Sequence, residues 1–521
     1  MKELNKIGRQ FQNELTYAHN EAKKRAEEIE VAEKVHVSSV GTTVTRGYEK
    51  LRNASENAEE SLLLQRAVKR FYKRLLMTPD SHDLIKDSGL ELITELTLAG
   101  YLENDSVPKS RVEEIDKIVA GYMGARDVIK KKLSGDHLYS WTIDPLSAEI
   151  ESLFNDHQPQ LALSNLAYNY FIETLDVGKI FTKKPTSYEA MLLVSVWTAI
   201  LRIDAATIRY NLLKRYNSTP TKIEDYLKIN NQIDAIFNSK DTDKLIKLVS
   251  RYSARFRVML RNVDNEAIPS ALLKKDLFMS HFESAISETY KITNKAVNRG
   301  IFRSIMFLFI TKVVIGIAIE VPYDLIVFGV LVWLPLIVNL VFPPLYMMLL
   351  RFTLKMPGRA NSRALSDDIE KVLYVEKLQP LYADVGSSSK DYALGFQIFY
   401  GLIVMGVIVG SGYLLLNYVE FNWLHLIIFY IFFSAASFLG FRLSRWIREI
   451  EVVDTRQNFV SMLRDFLYMP FVVAGQWINE KYAKIAFVSK ALDMFIELPM
   501  KSLLRLVRRW NSFLSAKKDE L

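Results

Sequence analysis

The chain has 521 residues, half of them apolar, and a formal net charge of +8. It has no cysteine, which excludes a disulfide framework, a thiolate metal site and a cysteine nucleophile. The excess of basic residues does not indicate a nucleic-acid partner, because much of it flanks apolar segments. Residues 1–15 contain no apolar run, so we expect no cleavable signal peptide.

Residues 1–77 are predicted to form a coiled-coil-like helical hairpin. Apolar or small residues recur every three or four positions from Leu4 to Ala32, and again from Val44 to Leu75. This spacing keeps them on one face of each helix. A hairpin packed within its own domain is the main interpretation, and an oligomerising coiled coil is the alternative.

Residues 78–300 are predicted to be a cytosolic helical domain. Capping-box spacings, such as Ser110 with Glu113 and Thr221 with Glu224, mark the starts of helices. No alternating strand pattern is visible. The most apolar stretch, residues 190–201, is short for a membrane span, so we interpret it as a buried central helix.

Two pairs of apolar segments predict four membrane spans. The first pair covers residues 301–350, with the polar turn VPYD at residues 321–324, and the second covers residues 393–441. Each segment approaches the roughly 20 residues that cross a bilayer. Residues 351–392 form the loop between the hairpins, with a short helix predicted over residues 366–377.

Basic residues at the membrane ends predict the orientation. The two short turns, residues 321–324 and 417–422, contain no Lys or Arg. The opposite ends of the spans are rich in them: Lys291, Lys295, Arg299, Arg303, Arg351, Lys355, Arg359, Arg363, Lys390, Arg442, Arg445 and Arg448. The positive-inside rule then places both termini in the cytoplasm and the protein in the cytoplasmic membrane.

Lys312 is the most informative single residue, because it lies near the middle of the first predicted span. A cation there costs at least about 3 kcal/mol unless it faces protein or water. Together with Glu320 and Asn339 it is a candidate intramembrane polar site, for a proton, an ion or an anion. In the alternative, Lys312 snorkels, pairs with a structural partner, or precedes the true start of the span.

Gly406 and Gly410 form a G-x-x-x-G spacing in the third span. Glycine lets helix backbones approach closely, which favours helix association in lipid. We expect the third and fourth spans to pack there. A homodimer seam, and hence a homo-oligomer, is the alternative.

Residues 442–521 are predicted to be an amphipathic helical region at the membrane surface. The apolar stretch 466–478 is interrupted by Pro470 and Gly475, so an interfacial or re-entrant helix fits better than a fifth span. A basic amphipathic segment follows, suited to anionic lipid head groups; packing against the protein's own cytosolic domain is its alternative. Its candidate lipid contacts are Lys501, Arg505, Arg508, Arg509 and Trp510.

Two stretches, residues 469–504 and VFPPLYMMLL at 341–350, resemble uncharacterised multi-pass membrane proteins of ultra-small, reduced-genome bacteria. The resemblance implies a bacterial cytoplasmic membrane and carries no activity.

The predicted fold class is therefore all-α, with a soluble helical domain, a four-span membrane region and an amphipathic C-terminal region. The seven histidines show no metal-ligand spacing, and no phosphate loop or nucleophile motif is present. We therefore expect no cofactor, no metal and no enzyme. The leading function is a membrane-anchored scaffold with an unknown cytosolic partner, in contact with the lipid bilayer. A small channel or transporter built on Lys312 and Glu320 is the alternative, and a membrane enzyme is third.

Overall fold

A computed structural model describes residues 3–38, 42, 45–47, 49, 62–77, 85, 87–132, 136–381, 394–453 and 459–484. Over these residues the regular structure is helical, apart from two isolated β-bridges, Lys34 to Pro108 and Leu175 to Leu381. The predicted all-α class is confirmed. The candidate lipid contacts from Lys501 to Trp510 lie outside the described residues and stay a prediction.

The N-terminal domain is built from short and medium helices. They are α1 (Lys6–Val31), α2 (Leu63–Met77), α3 (Gly89–Ala99), α4 (Ser110–Lys132), α5 (Asp136–Leu138), α6 (Asp144–Phe154), α7 (Gln158–Thr174), α8 (Val177–Ile180), α9 (Tyr188–Val196), α10 (Ala205–Arg215), α11 (Ile223–Phe237), α12 (Lys240–Arg251), α13 (Ala254–Leu260) and α14 (Ile268–Leu272). π-helical segments, Tyr139–Ile143 and Trp197–Leu201, follow α5 and α9.

The membrane region begins with a very long helix. α15 (Lys275–Ile315), a π segment (Gly316–Glu320) and α16 (Val321–Val327) form one 53-residue helix. At 1.5 Å per residue it is about 80 Å long, more than twice the thickness of a bilayer core. The remaining helices are α17 (Trp333–Thr353), α18 (Arg359–Tyr374), α19 (Leu394–Tyr418), α20 (Trp423–Arg448) and α21 (Phe459–Lys484).

Four of these helices are long and apolar enough to cross a membrane: Lys275–Val327, α17, α19 and α20. They match the four predicted spans. The 53-residue helix begins in the N-terminal domain and ends beside the first short turn of the membrane region, so one continuous helix joins the two.

The N-terminal domain has two hydrophobic cores that meet at α9. One core contains Leu192 and Val196 of α9, and the other contains Leu193 and Val194. The apolar run at residues 190–201 is therefore buried on opposite faces. This explains why it is apolar all round without being a membrane span.

The two helices predicted to pair in the hairpin over residues 1–77 have different neighbours. α1 packs along α7 and places Phe11 and Leu15 in the first core. α2 packs on α6 and places Val68 and Phe71 in the second core. The hairpin prediction is therefore wrong for α1 and α2, because each helix buries its apolar face against a partner far away in the sequence.

The turn of the first membrane hairpin lies later than predicted. VPYD is helical and continues the long helix as the start of α16. Pro322 lies just after the π segment Gly316–Glu320, a local change in helix geometry of the kind that accommodates a residue without an amide hydrogen. The chain reverses between Phe328 and Val332, with Gly329 in the left-handed conformation at φ 69°. Asp324, predicted to lie in the turn, is instead helical and fully buried.

The helix between the second and third spans belongs to the N-terminal domain. It covers Arg359–Tyr374 rather than the predicted 366–377, starting directly after Pro357 and Gly358. Its residues Leu365, Ile369 and Leu373 are fully buried in the first core. The Asn5 side chain donates to the carbonyls of Val372 and Val375, both at 2.9 Å, which fixes the start of α1 against this helix.

The glycines predicted to pack the third and fourth spans do not do so. A Cβ placed at Gly406 or Gly410 would meet no described atom within 4 Å. The close approach is made by Gly475 of α21, where a Cβ would collide with the Ser434 carbonyl in the middle of α20. α21 therefore packs along α20. It is not among the four helices apolar enough to cross a membrane, and the interfacial or re-entrant placement of residues 466–478 stays a prediction.

Gly475→Ala is expected to destabilise the membrane region by about 1–3 kcal/mol, because the added methyl has no space against α20. Gly406→Ala is the matched control and is expected to change stability by less than about 0.5 kcal/mol. Unfolding in mixed detergent micelles measures both. A larger loss for Gly406→Ala would contradict this packing.

The pair formed by His157 and Glu151 predicts a pH-dependent stability of the N-terminal domain. The Nε2 atom of His157 lies 3.0 Å from Glu151 Oε1, and this hydrogen bond raises the pKa of the imidazole. The stabilisation is complete below the unfolded pKa near 6.5 and is lost as pH rises through the folded pKa. Because His157 is 41% exposed, we expect less than about 1 kcal/mol. Thermal unfolding at pH 6 and pH 8 should show this loss in the wild type, and His157→Gln should remove it.

Candidate intramembrane polar site

Lys312 lies inside the membrane region as a buried ion pair. It is 2% exposed, and its ammonium donates to Glu320 Oε1, which is 1% exposed. The two residues are eight positions apart on one helix. The π segment at Gly316–Glu320 widens the helical turn between them, which brings Glu320 closer to the face of Lys312. The ammonium also lies 5.1 Å from the centroid of the Phe432 ring of α20.

Asn339 of α17 joins the pair to α20. Its Nδ2 atom donates to Glu320 Oε1 at 3.3 Å and to the His425 carbonyl at 3.2 Å. The three residues predicted as a polar site from the sequence therefore adjoin in space. The Asn339 amide thus links the long helix of the first span, α17 and α20. These hydrogen bonds account for a polar side chain at this depth in the membrane region.

Asp324 and His425 complete the cluster, and the sequence analysis did not select either of them. Both are fully buried, with 3.5 Å between Asp324 Oδ1 and His425 Nε2. Asn422 caps α20 by accepting from the His425 amide at 2.9 Å, and its Nδ2 atom lies 3.4 Å from Asp324 Oδ1. A signal for Asp324 existed, because it follows Glu320 at i+4, but only if VPYD is read as helix rather than turn.

The far end of the cluster is closed by apolar packing. On the side of Lys312 nearer the N-terminal domain, α15, α17 and α20 pack together through apolar side chains: Leu308, Met347, Ala436 and Leu443. The polar groups therefore occupy the half of the membrane region nearer the short turns. Among the residues that the structure describes, no group of three His, Asp or Glu side chains has the arrangement of a metal site.

The architecture and this cluster define a helical multi-pass membrane protein with a large N-terminal helical domain and a buried polar site. No family model, curated protein or solved structure matches the chain.

Proposed function

We propose that this protein is a membrane-anchored scaffold, whose multi-pass anchor holds a large helical domain in a fixed position for binding to other proteins. The observation that carries the proposal is the placement of α18. This helix lies between the second and third spans, yet it fills the core of the N-terminal domain. The domain is thus built partly from the anchor and does not move independently of it.

Further contacts support a fixed position. Asn361 of α18 donates to the Ile450 carbonyl at 2.9 Å and accepts from the amides of Val452 and Val453, at 2.6 and 3.0 Å. These residues directly follow the fourth span. A domain tied to the chain before, between and after its spans presents its surface at one height and orientation, which favours recruitment of partners.

The orientation is part of the proposal. Basic residues at the domain-side ends of the spans favour a cytoplasmic location for the domain, and the absence of Lys and Arg from the segment 328–332 fits the opposite side. In this arrangement the partners are cytosolic proteins and the membrane is the cytoplasmic one.

A channel or transporter is the second candidate, favoured by the buried cluster of Lys312, Glu320 and Asn339. Intramembrane charges often mark transport paths. However, the Lys312 charge is already neutralised by Glu320 within the same helix, which is how a structural ion pair is arranged.

One experiment separates the two candidates. Two measurements compare the wild type with the double variant Lys312→Leu/Glu320→Leu. Both proteins are purified from cross-linked membranes to identify bound partners. Both are also reconstituted into liposomes containing a pH-sensitive dye to measure flux. A scaffold predicts one stoichiometric set of cross-linked partners for both proteins and no ion flux. Flux that the double variant abolishes would replace the scaffold proposal with the transporter.

Deleting residues 1–77 is not a suitable test of the scaffold, because α1 and α2 supply fully buried core residues, Leu15 and Val68 among them. A better variant alters the exposed second half of α1, for example Lys23→Glu/Lys24→Glu. If partners bind this exposed end, the variant loses them while the fold is retained.

A further inference from the structure

The buried polar cluster is not balanced in charge. Glu320 is neutralised by Lys312. Asp324 has no Lys or Arg partner among the described residues, although it is fully buried. An isolated carboxylate in an apolar environment is very unfavourable, so buried carboxylates are paired, hydrogen-bonded or protonated. Something else must therefore compensate the charge of Asp324.

The surroundings of Asp324 consist of donors. The amide of Val332 lies 3.4 Å from Oδ2, and the Asn422 side-chain amide lies 3.4 Å from Oδ1. The third neighbour is His425 Nε2, 3.5 Å from Oδ1. The first two donors carry no charge. Among the described neighbours of Asp324, the imidazole is therefore the one that can supply a positive charge by binding a proton.

His425 has both ring nitrogens available. It is fully buried, and neither Nδ1 nor Nε2 forms a hydrogen bond with any described group. The charged groups that act on it are Asp324 from α16, and Glu320 and Lys312 from the preceding part of the same long helix. α17 contributes the uncharged Asn339, whose contact is to the His425 backbone.

We propose that Asp324 and His425 form a proton-binding site, in which the pair holds one proton between the carboxylate and Nε2 in the folded protein. A hydronium ion of the aqueous phase gives up the proton: its O–H bond breaks to leave water, and an N–H bond on His425 or an O–H bond on Asp324 forms. With the proton on Nε2, two carboxylates face one ammonium and one imidazolium; with the proton on Asp324, one carboxylate faces one ammonium. The cluster is neutral in both cases. The inference goes beyond the scaffold function and does not depend on it.

The position of the pair sets the side from which the proton exchanges. Asn422 and Asp324 lie at the turn end of α20 and α16, while apolar packing closes the cluster beyond Lys312. The proton therefore exchanges with the aqueous phase on the side of the short turns.

The test is nitrogen NMR of the full chain, labelled with [15N]histidine and held in lipid nanodiscs at pH 7. His425→Gln assigns the His425 signals, and His281→Gln, a change on the long helix outside the cluster, serves as the control. Infrared difference spectra of the wild type and Asp324→Asn detect a protonated carboxyl group on Asp324.

The proposal expects an imidazolium signature for His425 or a carboxylic acid band from Asp324, and only one of them per molecule. In Asp324→Asn the charges balance without the proton, so His425 should become neutral at pH 7. A neutral His425 beside an ionised Asp324 in the wild type would overturn the proposal. So would an imidazolium that persists unchanged in Asp324→Asn. Should Asp324→Asn fail to fold, the comparison of the wild type with His425→Gln still decides the protonation state of His425.

Discussion

Lys312→Leu is expected to lower the unfolding free energy of the membrane region by about 3–5 kcal/mol, the largest loss that we foresee for a single substitution in this protein. The substitution leaves Glu320, which is 1% exposed, as an uncompensated carboxylate within the membrane region. Among the described residues, its remaining donor is the Asn339 amide at 3.3 Å, which is neutral and does not offset the charge. Unfolding in mixed detergent micelles measures the loss.

The control for this prediction is the double variant Lys312→Leu/Glu320→Leu. Removing both charges together leaves no unpaired ion, so we expect the double variant to be close to the wild type or more stable. If the single and double variants lose equal stability, the effect comes from packing around the Lys312 side chain, not from the ion pair.

Glu449→Gln is expected to cost about 2–3 kcal/mol and to loosen the N-terminal domain from the membrane anchor. Glu449 follows the fourth span and forms ion pairs with Arg202 and with Arg257, the latter at 3.5 Å, as well as with Arg445 at 3.2 Å. Burial, together with the nearby Arg202 and Arg445 charges, already lowers the pKa of Arg257 to about 9. Removing the carboxylate leaves three guanidinium groups close together. The cost stays below that of a fully buried pair because Arg445 is 71% exposed.

Hydrogen exchange of α13 and of the segment 449–453 reports this loosening, and exchange in α3, in the second core, should not change. Glu376→Gln, at an exposed position after α18, is the matched control and is expected to alter neither stability nor exchange. Unchanged exchange in Glu449→Gln would show that α18 and Asn361 hold the domain without this carboxylate.

Sequence patterns located the spans well, and they located turns and partners poorly. Residues 301–320 and 423–440 are apolar over a length that only a membrane or a large core accommodates, and the helices there match. The turn at VPYD was misplaced because Pro and Asp usually break helices. Here Pro322 lies just after a π segment, and Asp324 lies beside the Val332 amide and the Asn422 side chain, which directly precede α17 and α20 and which no local pattern reveals.

The candidate site, too, was predictable from the sequence only in part. Lys312 was identifiable because a cation within an apolar run is costly wherever it points, and Glu320 followed from helical spacing. His425 was not identifiable, since it becomes part of the site only when the start of α20 packs beside α16. Gly406 and Gly410 had the spacing of a packing motif, yet the close helix contact is made by Gly475. A glycine motif shows that a helix face can pack closely, but the folded structure decides which helix packs against it.

The sequence by itself determined that this chain is helical, that four segments are apolar enough to span a membrane, and that a charge lies among them. These properties follow from local composition and period, which do not depend on the partners of a helix. Only the tertiary structure decided that α18 completes the core of the N-terminal domain, that α1 and α2 belong to different cores, and that Asp324 meets His425. Those contacts join residues tens to hundreds of positions apart, and their energy comes from burial and charge compensation between surfaces that exist only in the folded chain.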